Sequence, residues 1–153
     1  MTLPPSGSPP SSPSDTCALL AAAASREPYA AKLGMRVLLV EPGRCRVEMR
    51  VEADLVNVFG ITHGGAVFSL MDEAFQLACN AHGTTAYALN LSVTYILAST
   101  PGDLLTAEAL EIASTARTAS YQVRVVRADG EIVATGQALA YRKNTPLPFL
   151  EPG

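Results

Sequence analysis

The groups most capable of chemistry are concentrated in Asn57-Val58-Phe59-Gly60-Ile61-Thr62-His63-Gly64-Gly65 and in Asp72, which follows shortly after. Two glycines ahead of a helical run let the backbone approach a ligand closely, and leave N–H groups pointing outward at the positive end of the helix dipole. Such an amide, from Gly64 or Gly65, suits the oxyanion that develops when a carbonyl is attacked, and losing one such donor typically costs about 2.7–4 kcal/mol. Taken alone, the pair reads more readily as an ordinary glycine helix start.

Asp72 has Phe68 one turn before it and Phe75 one turn after it on the same side. Aspartate is a poor helix-interior residue, and its angular position at the border of an apolar stripe predicts partial desolvation and a raised pKa. A carboxylate so placed can act as general base for water or as nucleophile; the bland alternative is a solvated acid beside Glu73 and Gln76. His63 can orient the glycine loop or bond a substrate, and Asn57 can fix the loop or aim its amide at a carbonyl oxygen. With two histidines in the chain, a multi-histidine metal site is excluded. His82, just before Gly83, reads as a partner for the helix C-terminal dipole. No Ser/His/Asp set, P-loop or dinucleotide fingerprint stands out.

The element that must carry Asp72 runs from Gly65 to His82 without proline. Val67, Leu70, Met71, Ala74, Leu77, Ala78 and Ala81 recur at helical spacing. Phe68, Phe75 and Cys79 add a second apolar stripe, leaving Ser69, Glu73, Gln76 and Asn80 as a polar strip. A helix apolar over most of its girth is predicted to be covered by its own sheet and by a partner subunit. Strands are predicted for a hairpin around Pro42-Gly43, then over Tyr87–Leu97, Leu104–Ile112, Ala119–Arg127 and Ile132–Arg142, with turns at Pro101-Gly102 and Asp129-Gly130. The order β-β-α-β-β-β-β predicts an α+β fold, an antiparallel sheet of about six strands wrapped around one long central helix. An extra N-terminal helix is expected from an N-cap at Thr16 to about Lys32, limited or kinked by Pro28 and ended by Gly34. Residues 1–14 are expected as a disordered Pro/Ser-rich tail, 15–143 as a single domain, and 144–153 as a Pro-containing C-terminal tail.

Composition narrows the function classes. A net charge of -3 without any Lys/Arg run argues against nucleic-acid and membrane-surface partners. No apolar run is long enough to cross a bilayer, and Leu19–Ala24 is short for an export signal and has nothing basic before it. Cys17, Cys45 and Cys79 are odd in number and far apart, which argues against a disulfide framework, zinc site or dithiol centre and fits a reducing cytoplasm.

The run from His63 through Asp72 and Phe75 to Cys79, Asn80 and Gly83 resembles the phenylacetic-acid-degradation (PaaI-like) branch of the hotdog-fold acyl-CoA thioesterases. The likeness extends over about Gly34 to Arg142. It implies the hotdog fold and hydrolysis of an acyl-CoA, of the phenylacetyl-CoA or hydroxyphenylacetyl-CoA type, to free acid and CoA. It further implies Asp72 as base or nucleophile, the Gly64 N–H as oxyanion donor, and Asn57 and His63 as positioning groups, with Gly65, Phe68 and Phe75 against the substrate. A site shared between two subunits follows from the same resemblance, as do dimers that pair into tetramers, and no metal or organic cofactor beyond the CoA of the substrate. Related thioesterases place Ser or Thr on the strand after the helix, where this chain has Ala88, followed by Asn90 and Ser92. Arg117, Arg142 and Lys143 are cationic candidates for the CoA phosphates by number alone; each is more often a solvated strand-end charge and none is assigned to the site. The competing functions are a hotdog enoyl-CoA hydratase or dehydratase, and a non-catalytic acyl-CoA-binding module.

Overall fold

The computed structural model describes residues 12–150, so the expected tail over residues 1–14 lies mostly outside the described residues. Helix α1 spans Pro13–Ala24, and Ser12 caps it by accepting from the Asp15 N–H. The helix therefore starts before Thr16, which is buried within it, because serine followed by proline at the first helical position is a strong start signal. Pro28 ends rather than kinks this expected single helix. Lacking an N–H, it opens a separate short helix α2, Pro28–Lys32, which Gly34 terminates at φ +67°.

Strands β1 (Arg36–Glu41) and β2 (Arg44–Arg50) form the first hairpin. A loop then leads into α3, Gly64–Asn80, followed by β3 (Thr84–Tyr95), β4 (Leu104–Ser114), β5 (Thr118–Arg127) and β6 (Ile132–Pro146). The strands make one six-stranded antiparallel sheet in the order β1-β2-β4-β5-β6-β3. β6 continues past the expected tail boundary at 143: Pro146 pairs with Thr84, its carbonyl accepts from Thr85 Oγ1 at 3.0 Å, and Leu147 is buried. At a strand end, proline lacks only a donor, and its carbonyl still pairs.

α3 contacts all six strands. Leu70, Met71, Ala74, Phe75, Leu77 and Ala78 are buried against a sheet face that includes Val47, Met49, Leu105, Ala107 and Val123. The Phe75 and Tyr121 rings meet edge to face with centroids 5.3 Å apart. Close approach has a backbone requirement at Gly136, where a Cβ would fall 2.0 Å from the Ser92 carbonyl oxygen and 2.8 Å from Met71 Cε. The three cysteines are unpaired and buried. Burial pushes the Cys79 thiol up to about 12 and raises Cys17 and Cys45 as well.

Two expectations for α3 need correction. Glu73, placed on the polar strip, is only 6% exposed, because α1 and α2 cover that side of the helix. In the second stripe Phe75 and Cys79 are buried within the chain itself, which leaves Phe68 half-buried.

Candidate active site

The loop before α3 is built on Asn57. Its backbone N–H donates to Ile61 O at 2.8 Å and its carbonyl accepts from Gly60 N at 3.0 Å. The side-chain Oδ1 accepts from Phe59 N at 2.9 Å, an Asx-type turn. The Asn57 amide NH2 donates to none of the described residues, so the turn role and an outward-facing donor coexist. Thr62 and Ser99 hydroxyls at 2.6 Å, with Thr62 N donating to Ser99 O, tie the loop to the segment after β3.

His63 is the N-cap of α3, and its Nδ1 accepts from Gly65 N at 2.8 Å. An accepting Nδ1 requires the neutral ring with its proton on Nε2. This bond takes up the Gly65 N–H, so of the two glycine amides Gly64 alone is left to offer. The His63 carbonyl accepts from Ala66 N and Val67 N at 2.9 and 3.3 Å. Because a trans peptide points its N–H opposite to its C=O, the Gly64 N–H faces away from the helix. Gly64 lines a cavity of about 270 Å³ with Asn57, Ile61, Tyr95, Leu97 and Val133.

Asp72 lines a different and smaller cavity, about 110 Å³, with Phe75, Gln76, Cys79, Ala86 and Ala88. Its carboxylate takes part in no ion pair or hydrogen bond among the described residues. Burial, and then the charge of Glu27, hold it above the usual aspartate range. Ala88 does line this cavity and brings no hydroxyl to it, whereas its neighbour Tyr87 lines the same cavity. His82 pairs Nε2 with Glu111 Oε2 at 2.7 Å, and Tyr121 donates to the same oxygen at 2.6 Å. It is thus a side-chain partner of β4 rather than of the helix dipole.

Asp72 and Gly64 are close in sequence but not in space. Eight residues of helix separate them by about 12 Å along the axis and by about a quarter turn around it, and they line separate cavities. One chain therefore brings Asn57, His63 and Gly64 together, and places Asp72, Phe75 and Ala88 elsewhere. Two further groups were not marked by the residues as functional: Tyr95 at the Gly64 cavity, and Glu73 at a separate cavity lined by Ala21, Ala24 and Ala30. Tyr95 donates its hydroxyl to Gly64 O at 2.9 Å. Buried Glu73 has an Oε1 with no hydrogen-bond partner among the described residues and is pushed up to about 7 by burial, by the charge of Glu27 and by hydrogen bonding to it. A lone tyrosine ending a strand was the only available signal for the first, and nothing local signalled the second.

One long helix gripped by one antiparallel sheet is the frame that carries these groups. The profile of the Thioesterase superfamily matches residues 59–134, from the loop through most of the sheet. A putative esterase of Archaeoglobus fulgidus is 38% identical over 116 residues, 76% of this chain and 75% of that protein. The acyl-coenzyme A thioesterase PaaI of Escherichia coli K12 is 32% identical over 110 residues, 72% of this chain and 79% of that one. The solved structure of the E. coli PaaI protein from the phenylacetic acid degradation operon superposes with a TM-score of 0.84 at 29% identity, covering 88% of this chain and 99% of that chain. The chain belongs to the thioesterase superfamily, as a PaaI-like enzyme with the hotdog fold.

Proposed function

We propose that the protein hydrolyses acyl-CoA thioesters to free acid and CoA in sites assembled from two copies of the chain. The carrying observation is that each half-site lacks what the other holds: an unpaired, partly desolvated carboxylate in one cavity, an unused outward amide in the other. Asp72 of one subunit takes a proton from water, and the hydroxide adds to the thioester carbonyl. The Gly64 N–H and the Asn57 amide of the other subunit hold the oxyanion. The C–S bond then breaks, and the departing CoA thiolate takes from Asp72 the proton that came from water, which restores the carboxylate. His63 fixes Gly65, while Phe68 and Phe75 flank the acid. The scheme calls on protein groups and water alone.

The second copy has a place to bind. β3 is an edge strand with Tyr87, Leu89 and Tyr95 exposed, and the loop tip presents Val58 and Phe59 at 93% and 83% exposure. Pairing of such dimers into tetramers and a cytoplasmic setting complete the reading, the latter supported by the unpaired buried thiols. An aromatic acyl group such as phenylacetyl or hydroxyphenylacetyl suits the apolar walls of Ile61, Leu97 and Val133, and the similarity to E. coli PaaI favours it.

Thiol release from phenylacetyl-CoA, compared with short and long aliphatic acyl-CoAs, tests the activity. Loss of an enoyl-CoA chromophore without thiol release assigns a hydratase instead, and tight binding without turnover assigns a binding module. The composite site makes a sharper forecast. Asp72→Asn and Asn57→Ala are each nearly inactive, yet subunits mixed by refolding together recover about a quarter of wild-type activity, since half of the random dimers carry one intact site of two. Absence of recovery places the whole site within one chain.

A further inference from the structure

We propose that Tyr95 is a positioning residue, holding the Gly64 amide in line for the oxyanion; the inference rests on Gly64 being the donor. Two successive glycines have no Cβ to limit φ and ψ, so the direction of their amides must be set by bonds from outside. The peptide between Gly64 and Gly65 is held at both ends. Its carbonyl accepts from Tyr95 Oη at 2.9 Å, and its N–H donates to His63 Nδ1 at 2.8 Å. The preceding peptide is held through the His63 carbonyl by Ala66 and Val67, and its other end, the Gly64 N–H, bonds to none of the described residues. Tyr95 thus removes the remaining rotation about Gly64.

The fit is steric as well as polar. A Cβ on Gly64 would lie 3.0 Å from both Cζ and Oη of Tyr95, so the ring lies flush against the glycine. Tyr95 is supplied by a rigid element, the end of β3, where it pairs with Ala134 of β6. Its ring also walls the cavity that holds Asn57 and Gly64. The hydroxyl therefore ties the sheet to the first turn of α3 at the peptide whose direction matters to the reaction.

Tyr95→Phe keeps the ring and removes only the bond. It is expected to lower kcat for thiol release about five- to tenfold with KM nearly unchanged, and to speed amide exchange at Gly65 while core amides keep their protection. Gly64→Ala, which pushes the ring away, is expected to lose more than tenfold, and adding Tyr95→Phe to it to cost little further. Thiol release abolished in Asp72→Asn but unaltered in Tyr95→Phe overturns the inference and leaves the functional reading standing. So does a Tyr95→Phe defect confined to KM. Wild-type protein that releases no thiol from any acyl-CoA overturns the functional reading, and the inference with it.

Discussion

Asp72→Asn is expected to lower kcat for acyl-CoA hydrolysis by two to four orders of magnitude, roughly the range that a positioned general base contributes. Asparagine keeps the size of the side chain and removes only its capacity to take a proton. The acid has no ion pair or hydrogen bond to lose among the described residues, and burial together with Glu27 already disfavours its charge. Folding stability should therefore hold or rise while activity collapses, which separates catalysis from folding in one variant. The sign of the pH dependence follows. A base works unprotonated, so kcat/KM falls as pH drops through the raised pKa of Asp72, and the acid limb lies above the ordinary aspartate range. Glu27→Gln removes the neighbouring negative charge and should move that limb to lower pH. Activity retained within tenfold in Asp72→Asn would end the assignment of this residue as the base.

Glu73 carries the second large effect, on stability. Its folded-state value near 7 lies above the ordinary glutamate value of 4.5, so the folded protein keeps a proton that the unfolded chain releases across that window. The stabilisation linked to this proton is complete below about pH 4.5 and is lost as pH rises through 7, on the order of 3 kcal/mol in all. The folded state then holds a buried charge against Glu27, whose carboxylate also accepts from Gln76 Nε2 at 2.8 Å. Glu73→Gln is neutral throughout and can still donate to Glu27. Its urea midpoint is expected to vary less than wild type between pH 5 and 8, and to exceed wild type at pH 8. A variant as pH-sensitive as wild type, or weaker at pH 8, rules out this account. Glu73→Ala is not a neutral control for Asp72, because truncating a buried side chain leaves a cavity.

The elements that differ most in period were legible from the residues. α3 shows unbroken helical spacing from Val67 to Ala81 without proline, and the strands alternate between clear turns, so the helix and all six strands stand where expected. Segments that depend on contacts distant in sequence were not. Ser12-Pro13 reads compositionally as the end of a tail, although its cap chemistry begins a helix. A helical wheel knows only its own helix, so it placed Glu73 in solvent, whereas α1 and α2 lie over it. Pro146 looks like punctuation until β3 supplies Thr84 as its partner, and Asn144 until its amide reaches the Ala116 carbonyl. Asn57, His63, Gly64 and Asp72 stood out as chemical groups because a glycine pair frees the backbone at a helix start and an aspartate is poor material for a helix interior. Their separation was not visible from residue types alone, since nearness along a helix is not nearness in space. Tyr95 follows Gly64 by a whole helix and strand, and only the sheet reveals that they touch.

The sulphur chemistry of the core has a practical corollary. Cys17, Cys45 and Cys79 are enclosed and hold their protons, so they offer almost no thiolate to an attacking disulfide. Coenzyme A set free by turnover would then be the one quickly reacting sulphur in an Ellman-type mixture. A slow background drift in that colour would report breathing of the native interior rather than enzyme cycles, giving one reagent two clocks.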